Sequence, residues 1–217
     1  MEENSAVMEL LTGNFEDCPT QREVYAAAPE LYALKEDLER HLCRRTDSLF
    51  NLTNRIMLFD LTNFYFEGSK RQSAKAKFGR SKEKRSDCKL LVLALAINTE
   101  GFIRYSSILE GNTADPQSLP DMVERIIARN PVSRNPEEKV LVVVDAGIAT
   151  ESNLQLLKGS GYNYLCVSRT KLKDYTLKDE GRKVTVLDSR RRPITLAEVS
   201  HEPEGDYYLQ VNSPAKS

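Results

Sequence analysis

Two aspartates stand inside apolar runs. Asp60 interrupts Arg-Ile-Met-Leu-Phe-Asp-Leu-Thr-Asn-Phe-Tyr-Phe at 55–66, and Asp145 closes Lys-Val-Leu-Val-Val-Val-Asp-Ala-Gly at 139–147. An ionised carboxylate in such a setting costs free energy unless it is paired or meets a cation. One such Asp has an ordinary explanation, since Asp145 can cap the loop that follows its strand. Two of them point to a shared divalent ion, because Mg²⁺ favours carboxylate oxygens and keeps waters and substrate phosphates in its shell. The chemistry that arrangement suits is phosphoryl transfer. Other chemistries have little material. There are two histidines, 41 and 201, and four scattered cysteines, 18, 43, 88 and 166, with no Cys-x-x-Cys pair. That argues against a zinc ribbon or a disulfide framework and favours a reducing cytoplasm.

Charge adds a second candidate surface. The chain carries 31 Lys and Arg against 32 Asp and Glu, yet the balance is local. Residues 69–89 hold nine bases against Glu83 and Asp87, while the first twenty residues hold five acids and no base. A basic strip binds phosphates even when the whole chain is neutral. A solvated loop is the plainer reading. A second basic cluster is Arg190, Arg191 and Arg192.

The elements that must position these residues follow from periodicity. Residues 20–46 read as helix, with an interruption expected at Pro29. The apolar run at 55–66 is a strand. Residues 89–98 form a second strand, apolar enough to be covered on both faces, and Thr99-Glu100-Gly101 turns it into a third at 102–111. Asp115-Pro116 opens a helix, with Asp as N-cap and Pro at the first position. A Val-rich fourth strand at 139–147, a helix capped by Thr150 and a fifth strand at 162–169 complete the series. The order β-β-β-α-β-α-β predicts an α/β mixed sheet of the ribonuclease H-like kind, in which strand one lies beside strand four. Asp60 and Asp145 would then be neighbours, and at about 4 Å their repulsion would be roughly 4 kcal/mol at an effective dielectric of 20. After Arg169 come short charged and β-prone segments, an all-β appendage. The domains so expected are a helical segment at 1–54, an incomplete core at 55–169 and the start of a β-rich insertion at 170–217.

Five stretches, taken in order, resemble the DDE transposases of bacterial insertion sequences, closest to the IS-four superfamily: DLTNFYFEG (60–68), GRSKEKRSD (79–87), LALAINTEGF (93–102), LEGNTADPQSL (109–119) and VVVDAGIATESNLQLLKGSGYNYL (142–165). The resemblance covers about residues 55–217. It implies a ribonuclease H-like core split by a β-strand insertion, with Asp60 and Asp145 as catalytic, metal-holding aspartates. It also implies two Mg²⁺ (or Mn²⁺) ions in the complete enzyme, cleavage and strand transfer at transposon ends, double-stranded transposon-end and target DNA as partner, and a homodimer on DNA. Lys82, Lys84 and Arg85 are the expected phosphate contacts, and the setting is the bacterial cytoplasm, at the nucleoid, with no membrane. Two departures stand out. Ala146 takes the place of the Arg found after the second aspartate in many relatives. The family's third acid, a Glu in a Tyr-x-x-Arg-x-x-x-Glu pattern, has no match among the acids after Asp145. The sequence is therefore expected to be truncated at its C-terminal side, with its own activity low or absent. A non-catalytic DNA-binding remnant is the alternative.

Overall fold

The computed structural model describes residues 19–68, 73–79, 87–129, 139–168, 172, 175–177, 183–200 and 206–213. They fall into two compact units, 1–167 and 168–217.

In the first unit, helices α1 (Gln21–Ala33) and α2 (Lys35–Phe50) precede strands β1 (Ile56–Tyr65), β2 (Leu90–Asn98) and β3 (Ile103–Glu110). A single 3₁₀ turn, Asp115–Ser118, leads into α3 (Leu119–Arg129), followed by β4 (Leu141–Val144), α4 (Glu151–Gly159) and β5 (Asn163–Cys166). The sheet order is β3-β2-β1-β4-β5. The first three strands are antiparallel, whereas β4 runs parallel to β1 and β5 parallel to β4. This is the mixed ribonuclease H-like sheet that the element order predicts.

One face of the sheet carries the core. Met57, Phe59 and Leu61 of β1, Val142 and Val144 of β4 and Tyr105 of β3 are buried with Met122, Val123 and Ile126 of α3 and Leu157 of α4. Ala94 and Ala96 of β2 are fully buried; their small side chains let the helical layer approach the sheet closely. Tyr105 donates from its hydroxyl to Asp121 Oδ2 at 2.6 Å. Burial first, and then that carboxylate, push the Tyr105 hydroxyl well above the usual tyrosine range.

The opposite face is only partly covered. Ile56 and Leu58 of β1 and Leu165 of β5 are more than a third exposed, and the odd-numbered residues of β2 are half-buried while the even-numbered ones are buried. The expectation that β2 is covered on both faces is thus met on one face alone. The apolar run reads as doubly buried because periodicity cannot tell a covered face from an open one.

The helical segment also differs at Pro29. Helix α1 continues through Pro29 to Ala33, and the break comes at Leu34 (φ −90°, ψ 0°). A proline's fixed φ is itself helical, and Tyr25, whose carbonyl loses its partner, lies in an exposed turn where water can satisfy it. Helix α2 is tied to the sheet by a polar network. Arg104, 5% exposed, donates from both terminal nitrogens to Asp47, at 2.8 and 2.7 Å. Asn54 Nδ2 donates to Asp47 Oδ1 at 2.7 Å, and Asn98 Nδ2 donates to Asn54 Oδ1 at 3.0 Å. Lys35 Nζ and the Cys43 thiol donate to the Ser106 and Ile103 carbonyls on β3.

In the second unit β8 (Pro193–Ser200) pairs antiparallel with β6 (Thr176–Leu177), β7 (Lys183–Leu187) and β9 (Tyr208–Asn212). Its β7–β8 turn is built on Asp188, whose carboxylate accepts from the backbone N–H groups of Arg190 and Arg192 and from Arg192 Nε. Among the described residues, no helix is long and apolar enough to cross a membrane.

The Asp47 network has a measurable signature. Burial pushes the Asp47 carboxyl up, but the hydrogen bonds from Arg104 and Asn54 and the Arg104 charge outweigh it, so its pKa lies below the ordinary aspartate value. A depressed folded pKa stabilises the fold above the unfolded value of about 3.9 and loses that contribution as pH falls through the folded one. Asp47→Ala removes the carboxylate that pairs with buried Arg104, and a loss of about 3 kcal/mol is expected in urea unfolding at pH 7. The difference from the parent should shrink below about pH 4.

Candidate active site

β1 and β4 are in parallel register with Phe59 opposite Val144. The next residue on each is an aspartate. Because successive side chains alternate across a sheet, buried Phe59 sends Asp60 to the open face, while Asp145 follows the last residue of β4 and begins its turn. Both are exposed. The sequence places these carboxylates in buried runs; the structure places them in solvent. Each carboxylate is held by local backbone. Asp60 Oδ1 accepts from the Leu61 N–H at 2.7 Å. Asp145 Oδ1 accepts from the Ile148 N–H at 3.0 Å, so Asp145 also caps its own turn, as its plainer reading held.

Three residues that the sequence reading did not single out as site residues complete the setting. Asp115, read only as the start of a helix, carries its carboxylate to Gly147. A side chain at Gly147 would begin 3.0 Å from Asp115 Oδ2 and 3.2 Å from Asp145 Oδ1. The missing side chain is therefore what makes room for two carboxylates at this turn. Asn153, 4% exposed on α4, donates from Nδ2 to the Pro116 carbonyl at 2.9 Å and to the Ile148 carbonyl at 2.8 Å. One amide thus fastens the Asp115 turn to the Asp145 turn. Asn153 also lies at the third helical position, where its N–H meets the Thr150 hydroxyl oxygen at 3.3 Å. In sequence it looks like an ordinary first-turn residue, and no local signal marks its second role. Asp115 was legible as an acid before a proline, but its approach to Gly147 depends on how α3 packs.

Lys82, Lys84 and Arg85 lie outside the described residues. Among the described residues, no three Asp, Glu, His or Cys side chains converge so as to hold a metal ion.

A family model, described as "Transposase DDE domain", matches residues 51–209. The chain belongs to the DDE transposase family. A comparison with curated proteins finds no match. Among solved structures, this DDE transposase chain is similar to a piggyBac transposase synaptic complex with hairpin DNA, at 13% identity and a TM-score of 0.37, over 72% of this chain and 33% of that one. It is similar also to a Mos1 transposase paired-end complex with the left transposon end, at 13% identity and a TM-score of 0.36, over 78% and 60%. A Mos1 mariner paired-end complex with Mn matches at 16% identity and a TM-score of 0.35, over 75% and 54%. The chain thus spans between a third and 60% of the length of these relatives.

DDE transposases use divalent metals, and the donor set here can be tested against that. Mg²⁺ is commonly bound by one or two carboxylates, with waters and substrate phosphates filling the remaining positions. Asp60 and Asp145 are solvent-exposed carboxylates that directly follow a paired position of β1 and β4, donors of the type such an ion takes.

Gly147→Ala would force the Asp115 or Asp145 carboxylate to yield by a few tenths of an ångström, with the fold intact. Supporting residues of this kind typically change metal affinity about 10–100-fold. Mn²⁺ titration should show a loss in that range, with the thermal midpoint within about 4 °C of the parent.

Proposed function

We propose that this chain is the transposase of a bacterial insertion sequence, acting in Mg²⁺-dependent cleavage and joining of DNA at transposon ends. The supporting observation is the parallel β1–β4 register, in which Phe59 pairs with Val144 and each is followed in the chain by an exposed aspartate, Asp60 and Asp145. In this reading the two carboxylates hold a divalent ion, which supplies Lewis-acid stabilisation of charge on the reacting phosphate oxygens. Asn153 and Gly147 keep the two acidic turns in place. The open sheet face beside the carboxylates leaves room for the DNA backbone. The basic β1–β2 connection, with Lys82, Lys84 and Arg85, leaves the sheet at the end toward which β1 and β4 both run, the end at which Asp145 lies. Its cations would position the duplex through phosphates and carry no base readout. We further infer that the complete enzyme uses two ions, works as a homodimer that holds two transposon ends, and acts at the bacterial nucleoid.

A second reading rests on a specific observation. The acids after Asp145 lack the family's third-carboxylate pattern, and none of the described ones joins Asp60 and Asp145 in a three-ligand cluster. By itself, the chain would then bind DNA and cut it poorly, as a non-catalytic DNA-binding module does.

An end-nicking assay on a transposon-end duplex separates the two. The catalytic reading expects Mg²⁺- or Mn²⁺-dependent nicking that falls at least about a hundredfold in Asp60→Asn and in Asp145→Asn. The remnant reading expects no nicking from the parent and salt-sensitive duplex binding that survives both substitutions. Metal-independent nicking, or nicking that survives Asp60→Asn, overturns the assignment of the two aspartates.

A further inference from the structure

Beyond Tyr65 the β1–β2 ladder continues for one more rung, with the Phe66 N–H donating to the Lys89 carbonyl at 2.9 Å. On the other side of β2 the segment 73–79 returns. Lys77 and Leu90 exchange backbone hydrogen bonds at 3.2 and 2.8 Å in an antiparallel bridge. One step on from that bridge, Phe78 comes opposite Lys89. Phe66, Lys89 and Phe78 therefore form a row across three neighbouring segments, the third joined to β2 through the isolated Lys77–Leu90 bridge, and residues directly opposite each other share a face. The row below it, Tyr65, Leu90 and Lys77, faces the other way, with Leu90 fully buried. Phe66 has the parity of Asp60, so the aromatic row lies on the face that bears that carboxylate. Six residues of strand separate them, about 20 Å.

We propose that this row is a stacking platform for unpaired DNA bases, on the path of the strand that reaches Asp60. The proposal rests on the DNA-processing reading above. Phe78 is 61% exposed, and its support is stiff. The Gly111 N–H donates to the Lys75 carbonyl at 3.1 Å, and Gly79 is pressed so closely on Gly111 that a Cβ there would lie 2.0 Å from the Gly111 carbonyl oxygen. An aromatic ring held out on fixed backbone gives up little entropy when a base stacks on it. The three residues also line one cavity of about 470 Å³ together with Glu67 and Asp87. Those two carboxylates decide what the cavity takes. They would repel a run of phosphates, but they accept hydrogen bonds from the exocyclic amino groups of bases. In a duplex the faces of the bases are covered by their neighbours, so only an extruded or unpaired base can stack here.

The chain has no tryptophan, so Phe78→Trp makes a unique fluorescent reporter at an exposed site. Titration of that variant with a single-stranded oligonucleotide should quench its emission, whereas the matching duplex should not. By fluorescence anisotropy, Phe78→Ala should weaken single-strand binding by about tenfold, leave duplex binding within about twofold, and keep the parent melting temperature. Phe78→Trp should bind single strands as the parent does. Equal weakening of both DNA forms, or no effect of Phe78→Ala on single strands, overturns the platform. Salt-sensitive duplex binding without any single-strand binding overturns it while sparing the DNA-processing reading. Absence of binding to either form overturns both.

Discussion

The parallel pairing of β1 with β4 is the constraint on which the site depends. It is a contact between strands separated by about eighty residues of chain, and it is made of backbone hydrogen bonds with Phe59 and Val144 buried beneath them. Once that register is set, the pleat brings the next residue of each strand to the opposite face. Asp60 thereby stands in solvent, and Asp145, directly after Val144, is exposed too. A one-residue slip would turn Asp60 into the core and Phe59 out of it. The apolar burial that holds the register is thus also what holds the carboxylates in place, and any loss of packing beneath the sheet is felt at the site above it.

Holding strands in register does not place the loops. That falls to buried polar groups, each doing two things. Asn153 satisfies two carbonyls from different turns and so couples the start of α3 to the turn after β4. Arg104 and Asp47 couple α2 to β3. Such groups are costly when half-satisfied, and among the described residues no buried side-chain polar atom lacks a partner. The turns that carry Asp115 and Asp145 are therefore tied to each other, and the face that carries Asp60 stays partly open. The half-bare apolar face beside it, with Leu58 and Leu165 more than a third exposed, is the other side of that openness.

The like charges at the centre give this arrangement its chemical bias. Asp60 and Asp145 are accessible, so water screens them, and the Asp115 carboxylate comes close to the same turn. In the proposed function, a divalent cation held by these carboxylates supplies the charge that makes a phosphodiester a suitable ligand.

Local sequence by itself determined the element order, the strand character of 56–65, 90–98 and 141–144, the capped helix after Thr150 and the presence of two acids at strand positions. These follow from side-chain periodicity and from turn and cap chemistry, which act over a few residues. It was also enough to mark Asp60 and Asp145, because an acid beside a run of valines or leucines stands out without any structure. Tertiary structure alone decided which face each acid occupies, that β2 is covered on one side, that Asp115 reaches Gly147, and that Asn153 joins two turns. It alone aligned Phe66, Lys89 and Phe78 in one row, since the bridge at Lys77 and Leu90 brings in a segment that has no strand pattern of its own. The physical reason is common to all of these. They depend on contacts between residues far apart in the chain, whose geometry is set by the packing of whole elements, and no local pattern of residues encodes it.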